Sequence, residues 1–142
     1  MTAFTIEETN WARDAERLAA VRRAVFIDEQ GVPEALEWDE HDALALHFLA
    51  TTLDGSPIGC ARLLPDGHVG RMAVLPAWRG HGVGRSLLAA VLNAARARGH
   101  AELRLSAQTH AADFYLQAGF VAHGAEYEEA GIPHVAMRKR LN

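Results

Sequence analysis

The sequence predicts an α/β domain of the α+β kind: a central, mixed but mostly antiparallel sheet of about seven strands flanked by helices. Three observations carry this. Three strand-like runs follow one another in the middle of the chain, "LALHFLATTL", "IGCARLL" and "HVGRMAVL", with connections too short for anything but an antiparallel meander. At Val83 the apolar period changes from two to about 3.6, the mark of a helix with one buried face. The next run, "AELRLSA", is again strand-like, so strand, helix and strand make one right-handed parallel crossover.

Taken in order, "TAFTIEE" alternates apolar and polar residues and reads as the first strand. A helical stripe runs from Trp11 to about Phe26 through Ala15, Leu18, Ala19, Val21 and Val25, with Asn10 in the N-cap position. Gly31 and Pro33 close that region. Residues 34 to 43, "EALEWDEHDA", are acidic and loop-like, with room for one short helix. The turns "DGSP" and "PDG" join the three meander strands. Val83, Leu87, Leu88, Val91, Leu92 and Ala95 share one helical face, and Gly99 stands where a C-cap glycine belongs. A shorter helix from Ala111 to Gln117 ends at Gly119, and "GFVAHG" and "HVAMRKRL" are the closing strands.

A chain of 142 residues without repeats or linker-like stretches is expected to be one domain, residues 1–142, with a sizeable core. No apolar run approaches membrane-spanning length, and "MTAFTIEETN" lacks the basic head and apolar stretch of a signal peptide. No membrane partner and a cytoplasmic location are therefore expected. The net charge of −4 argues against nucleic acid as a partner. Eight histidines raise the question of a metal, but they are scattered, with no HExxH and no zinc-like spacing, so no metal site is expected. Cys60, the only cysteine, excludes an internal disulfide and suits a small buried apolar position.

Residues 78 to 86, "WRGHGVGRS", place Gly80, Gly82 and Gly84 at alternate positions where the long helix is about to start. The first turn of a helix has N–H groups without intrahelical partners, and the dipole puts partial positive charge there. Glycine permits positive φ and close approach of an anion such as a diphosphate. Arg79 and Arg85 would add cationic donors. A Walker A loop is excluded because the loop has no lysine, and a dinucleotide fingerprint because Arg85 stands where its third glycine belongs. The residues alone leave two readings, a diphosphate site or a glycine-rich helix entry without a ligand.

In "RGHGVG", Arg79, Gly82 and Gly84 match the R/Q-x-x-G-x-G/A signature of the GCN5-related N-acetyltransferase (GNAT) family. "VGRMAVLPAWRG" resembles that family's fourth strand and following loop, and "FYLQAGF" is similar to its FYxxxGF segment, with Tyr115 and Gly119 matching. "RRAVFIDEQGVPEALEWDEHD" and "EYEEAGIPHVAM" resemble the ElaA-type subgroup, and the likeness extends over nearly the whole chain. It implies the GNAT fold and an acetyl-CoA-dependent N-acetyltransferase acting on a primary amine, with acetyl-CoA as co-substrate and no metal.

Carried over residue by residue, the resemblance puts Arg79, Gly80, His81, Gly82, Val83 and Gly84 at the pyrophosphate, with Arg85 and Ser86 close by. It implies that the backbone of Met72, Ala73 and Val74 pairs with the pantetheine arm, and that an amide near Val74 polarises the thioester carbonyl. It gives Tyr115 the role of acid toward the departing thiolate. Glu29 is the expected general base, and Gln30 and His134 the expected substrate contacts. Where the family often carries an asparagine on the pantetheine arm, this chain has Gln108 and His110 in "SAQTHAADF". Family members are often dimers, and no stretch here decides that point. From Asp28 to Asp42 seven acidic residues occur and no basic one. That run, with Glu126, Glu128 and Glu129 adding to it, leads to the expectation of a negative field attracting a cationic amine, beside the plainer reading of a solvated loop. A non-catalytic acyl-CoA sensor is the alternative.

Overall fold

A computed structural model describes residues 3–141. Its seven-stranded mixed sheet has the order β1-β2-β3-β4-β5-β7-β6. β1 (Phe4–Thr9), β2 (Leu46–Thr52), β3 (Pro57–Leu63) and β4 (His68–Val74) form the antiparallel part. β5 (Glu102–Gln108) joins β4 in parallel, and β7 (Ile132–Arg140) lies antiparallel between β5 and β6 (Val121–Glu129). Thr2, where the expected first strand began, lies outside the described residues.

Helices cover both faces. α3 (Val83–Ala97) buries Val83, Leu87, Leu88, Val91, Ala94 and Ala95 against Phe48, Ile58, Ala61, Leu63, Leu103 and Leu105. α1 (Trp11–Arg22) lays Leu18 and Val21 on the opposite face against Leu49, Cys60 and Ala73. Truncating a fully buried leucine such as Leu87 would cost about 2–5 kcal/mol. α3 lies close to the sheet because β3 has Gly59 beneath it. A Cβ at Gly59 would come within 3.1 Å of both Val83 and Leu87. Among the described residues no helix is long and apolar enough to cross a membrane.

Two elements differ from expectation. The first helix does not run uniformly to Phe26: α1 ends at Arg22 and the chain continues as a π-helix over Arg23–Glu29. The wider winding keeps Val25 buried with Leu18 and Val21 while carrying Glu29 and Gln30 to the sheet's centre. The closing strands are longer than "GFVAHG" and "HVAMRKRL". They form a hairpin whose central residues, Ala130 and Gly131, have φ of 53° and 76°, the left-handed pair that suits a two-residue connection. β6 is exposed along its whole length, so no alternating apolar signal marked it.

The remaining helices are α2 (Glu34–Glu37), the short helix for which the acidic segment had room, and α4 (Ala112–Gln117), whose expected start was one residue earlier.

Candidate active site

β4 and β5 share ladder partners at His68↔Arg104 and Val69↔Leu105. Beyond them β4 keeps its partners in β3 through Gly59↔Val74 and has none in β5 among the described residues. The parting of two parallel strands leaves one edge of β4 from Gly70 to Val74 open to a cleft of about 1290 Å³. Single drug-sized ligands occupy pockets of roughly 300–1,000 Å³, so this cleft has room for two reactants. Arg71, at the bend in β4, has φ of 47°.

The glycine loop closes one end. Gly80 and Gly82 have φ of 81° and 84°, a left-handed conformation costing an L-residue roughly 1–2 kcal/mol, and a Cβ on either would meet nothing within 4 Å. Gly82 is the N-cap of α3 and no side chain caps it. The Ser86 amide makes the first helical bond, 3.0 Å from the Gly82 carbonyl oxygen. The amides of Val83, Gly84 and Arg85 precede that bond and have no intrahelical acceptor. Gly84 has ordinary φ, and a Cβ there would touch Phe114 at 3.5 Å. That is an ordinary van der Waals contact, so neither backbone conformation nor packing on α4 requires glycine at this position.

Of the expected residues, Met72, Ala73, Val74, Arg79, Gly80, Gly82, Val83, Gly84 and Arg85 line the cleft, and so do Glu29, Gln30, Tyr115 and His134. His81 and Ser86 do not; His81 sets its ring edge-on to Trp78, centroids 5.9 Å apart. Arg79 faces inward. Its two terminal nitrogens donate to Glu29 at 2.6 and 2.7 Å, and Nε donates to the Val74 carbonyl at 3.0 Å. The guanidinium holds the Glu29 carboxyl below the usual carboxylate range. Both carboxylate oxygens of Glu29 are occupied, which suits a strut for the glycine loop better than a base.

Tyr115 is half-buried on α4, between Phe114 and Phe120 at ring distances of 5.1 and 5.9 Å. Its hydroxyl donates to Met72 Sδ at 3.6 Å, and burial pushes its pKa up to about 12. It is a neutral donor at any physiological pH. Across the cleft Gln30 and Gln108 exchange amide hydrogen bonds at 2.8 and 3.2 Å. Gln108 thus pairs with a residue 78 positions away, a contact that spacing along the chain did not signal.

The acidic segment behaves differently from its expectation. Arg22, fully buried, donates to Glu37 at 2.8 Å and Asp42 at 2.7 Å, and lies between the rings of Trp11 and Trp38. Arg62 pairs with Asp39 and Asp42, and Arg71 with Glu37 and Asp39. Arg23 engages Glu34. Five of the seven acidic residues, counting Glu29, thus face an arginine. Within this segment the negative field expected to attract a cationic amine is corrected: most of it is neutralised by Arg22, Arg23, Arg62, Arg71 and Arg79. Cys60 is buried, donates to the Arg71 carbonyl at 3.2 Å, and has its thiol pKa pushed up to about 12 by burial, an inert core residue.

Residues 10–141 match the family model described as an acetyltransferase (GNAT) domain. The chain is 38% identical over 124 residues to YjcF, an uncharacterized N-acetyltransferase of Bacillus subtilis (strain 168), covering 84% of this chain and 87% of that one. An acyl-CoA N-acyltransferase from Pseudomonas aeruginosa superposes with a TM-score of 0.86 at 31% identity, over 96% of this chain and 99% of that one. Escherichia coli ElaA superposes with a TM-score of 0.87 at 28% identity, over 97% of this chain and all of that one.

Proposed function

This chain belongs to the GNAT acetyltransferase family, an acyltransferase fold that works on acyl-CoA, and from that premise we propose that it moves an acetyl group from acetyl-CoA to a primary amine by direct attack on the thioester. The observation that carries the proposal is one cleft in which the open edge of β4, the uncapped mouth of α3 and the Tyr115 hydroxyl meet.

In this reading the amides from Gly80 to Arg85 and the Arg85 guanidinium hold the diphosphate, with Ser86 just behind them and His81 contributing only its backbone. Anions are favoured at an uncapped helix mouth by dipole and donors together. The backbone of Met72, Ala73 and Val74 adds the pantetheine arm as a neighbouring strand, as extended ligands do at open sheet edges. An amide near Val74 donates to the thioester oxygen as charge develops; one such donor is worth roughly 10²–10³ in kcat.

Tyr115 hydrogen-bonds the departing sulfur. Full transfer from a hydroxyl at about 12 to a thiolate whose acid has pKa about 8.5 is uphill by roughly 5 kcal/mol. The hydroxyl therefore relays a proton from the attacking nitrogen and does not ionise itself. Glu29 is assigned to holding Arg79, and Gln30 with Gln108 to the wall beside the acceptor. The domain comprises the whole chain.

Calorimetry with acetyl-CoA, followed by thiol release with a panel of amines, tests the reading. Micromolar binding and amine-dependent release are expected; no heat with acetyl-CoA overturns it. Tyr115→Phe is expected to lower kcat about 10²-fold or more while acetyl-CoA affinity stays within about twofold. Lost binding with unchanged turnover of the bound fraction overturns the role of Tyr115.

A further inference from the structure

We propose that His134 Nε2 accepts the proton from the acceptor's ammonium group; this rests on the acyltransfer reading above. His134 stands on β7 directly opposite Gln108 of β5 and lines the cleft with a residue exposure of 6%. Its Nδ1 is 2.7 Å from the Ile132 carbonyl oxygen. A carbonyl only accepts, so Nδ1 carries the hydrogen and the neutral ring has its lone pair on Nε2. The ring stacks on Tyr127, centroids 6.1 Å apart at 23°, and the Tyr127 hydroxyl is itself bonded to Ser106. The tautomer is fixed by Ile132 at the start of the same strand, and the ring orientation by Tyr127 on the neighbouring β6.

The charged and titratable groups around the ring are few. From β6, Glu129 Oε2 lies 3.9 Å from Nε2, too far for a hydrogen bond but close enough to stabilise an imidazolium, and Tyr127 covers one face. From β5 come the uncharged Ser106 and Gln108, and His110 stands on the 3-10 turn Thr109–Ala111 that packs on β7. Two carboxylates that also line the cleft are occupied: Glu29 by Arg79, and Glu37 by Arg22 and Arg71.

The step balances. One ammonium proton passes to Nε2. The freed lone pair forms the C–N bond to the thioester carbon and the C–S bond breaks with its pair on sulfur. The second nitrogen proton reaches sulfur through the Tyr115 hydroxyl, and the imidazolium returns its proton to water.

The test compares pH profiles of kcat/KM for the wild type, His134→Gln and the exposed control His123→Gln, at saturating acetyl-CoA with the best amine of the panel. Loss of an imidazole base is expected to lower kcat about 10²-fold, abolish the one-proton acid limb and leave acetyl-CoA affinity unchanged, while the control matches the wild type. His134→Gln within about threefold of wild type and with the same limb overturns the role and spares the acyltransfer reading. Wild type that binds acetyl-CoA but releases no thiol with any amine overturns both. Nitrogen-15 NMR of the wild-type ring gives a reading independent of any variant: the Nδ1–H tautomer is expected at alkaline pH, and a dominant Nε2–H tautomer overturns the proposal.

Discussion

The glycine loop, residues 79–84, and the acidic segment, residues 28–42, border the same cleft and were equally conspicuous in the sequence, yet they fared in opposite ways. The loop's information is in its backbone. Two left-handed glycines and a helix mouth without a cap leave amide donors that depend only on local residues. The acidic segment's information is in its side-chain charge, and charge can be cancelled by residues far along the chain. Arg62 and Arg71, 23 and 32 positions after Asp39, do so from the sheet, and Arg22 from α1. Local backbone chemistry survives folding; a run of like charges is a statement about composition until its partners are known.

The largest expected effect breaks the acidic half of this contrast. Arg22→Ala leaves Glu37 and Asp42 buried without their main cation and should destabilise the fold by about 3–5 kcal/mol in urea unfolding. A loss under about 1 kcal/mol would mean that these carboxylates are solvated and the negative field real. Gly82→Ala tests the other half: forcing a Cβ into φ of 84° should cost about 1–2 kcal/mol by thermal melting and weaken acetyl-CoA binding several-fold.

Acid titration sharpens the comparison further. Arg22 and Arg62 hold the Asp42 carboxyl below its ordinary 3.8, whereas burial pushes Glu37 above its ordinary 4.5. Asp42 therefore stabilises the fold above about 3.8, and that contribution is lost as pH falls lower. Glu37 has the opposite sign: its contribution is fully present below about 4.5 and is lost as pH rises through its folded value. Through these two groups, urea midpoints should thus rise on moderate acidification as Glu37 takes up its proton and drop only below about pH 3.8, and Asp42→Asn should lessen that drop. The smallest effect is kinetic. With five of the seven acids of residues 28–42 paired, the chain's kcat/KM for a monocationic amine should change by less than about twofold between low and moderate salt. A steep fall would restore the attracting field.

The strand and helix order was legible because alternation, the change to helical period at Val83 and the capping glycine Gly99 are written within a few residues of each other. The glycine loop and Tyr115 were legible through short motifs in register. The π-helical continuation to Glu29 was not, because its winding is set by what packs on it. Nor was the Ala130–Gly131 hairpin, whose outer strand is exposed and carries no buried stripe.

Sequence alone thus determined the order of elements and the glycine-rich entry to the long helix, since each depends on neighbours within a turn or two. Only the tertiary structure decided where β4 leaves β5, which arginine answers which acid, and that Gln30 meets Gln108. Those follow from contacts between residues tens of positions apart, and a pairwise contact at that range leaves no period, cap or spacing in the chain.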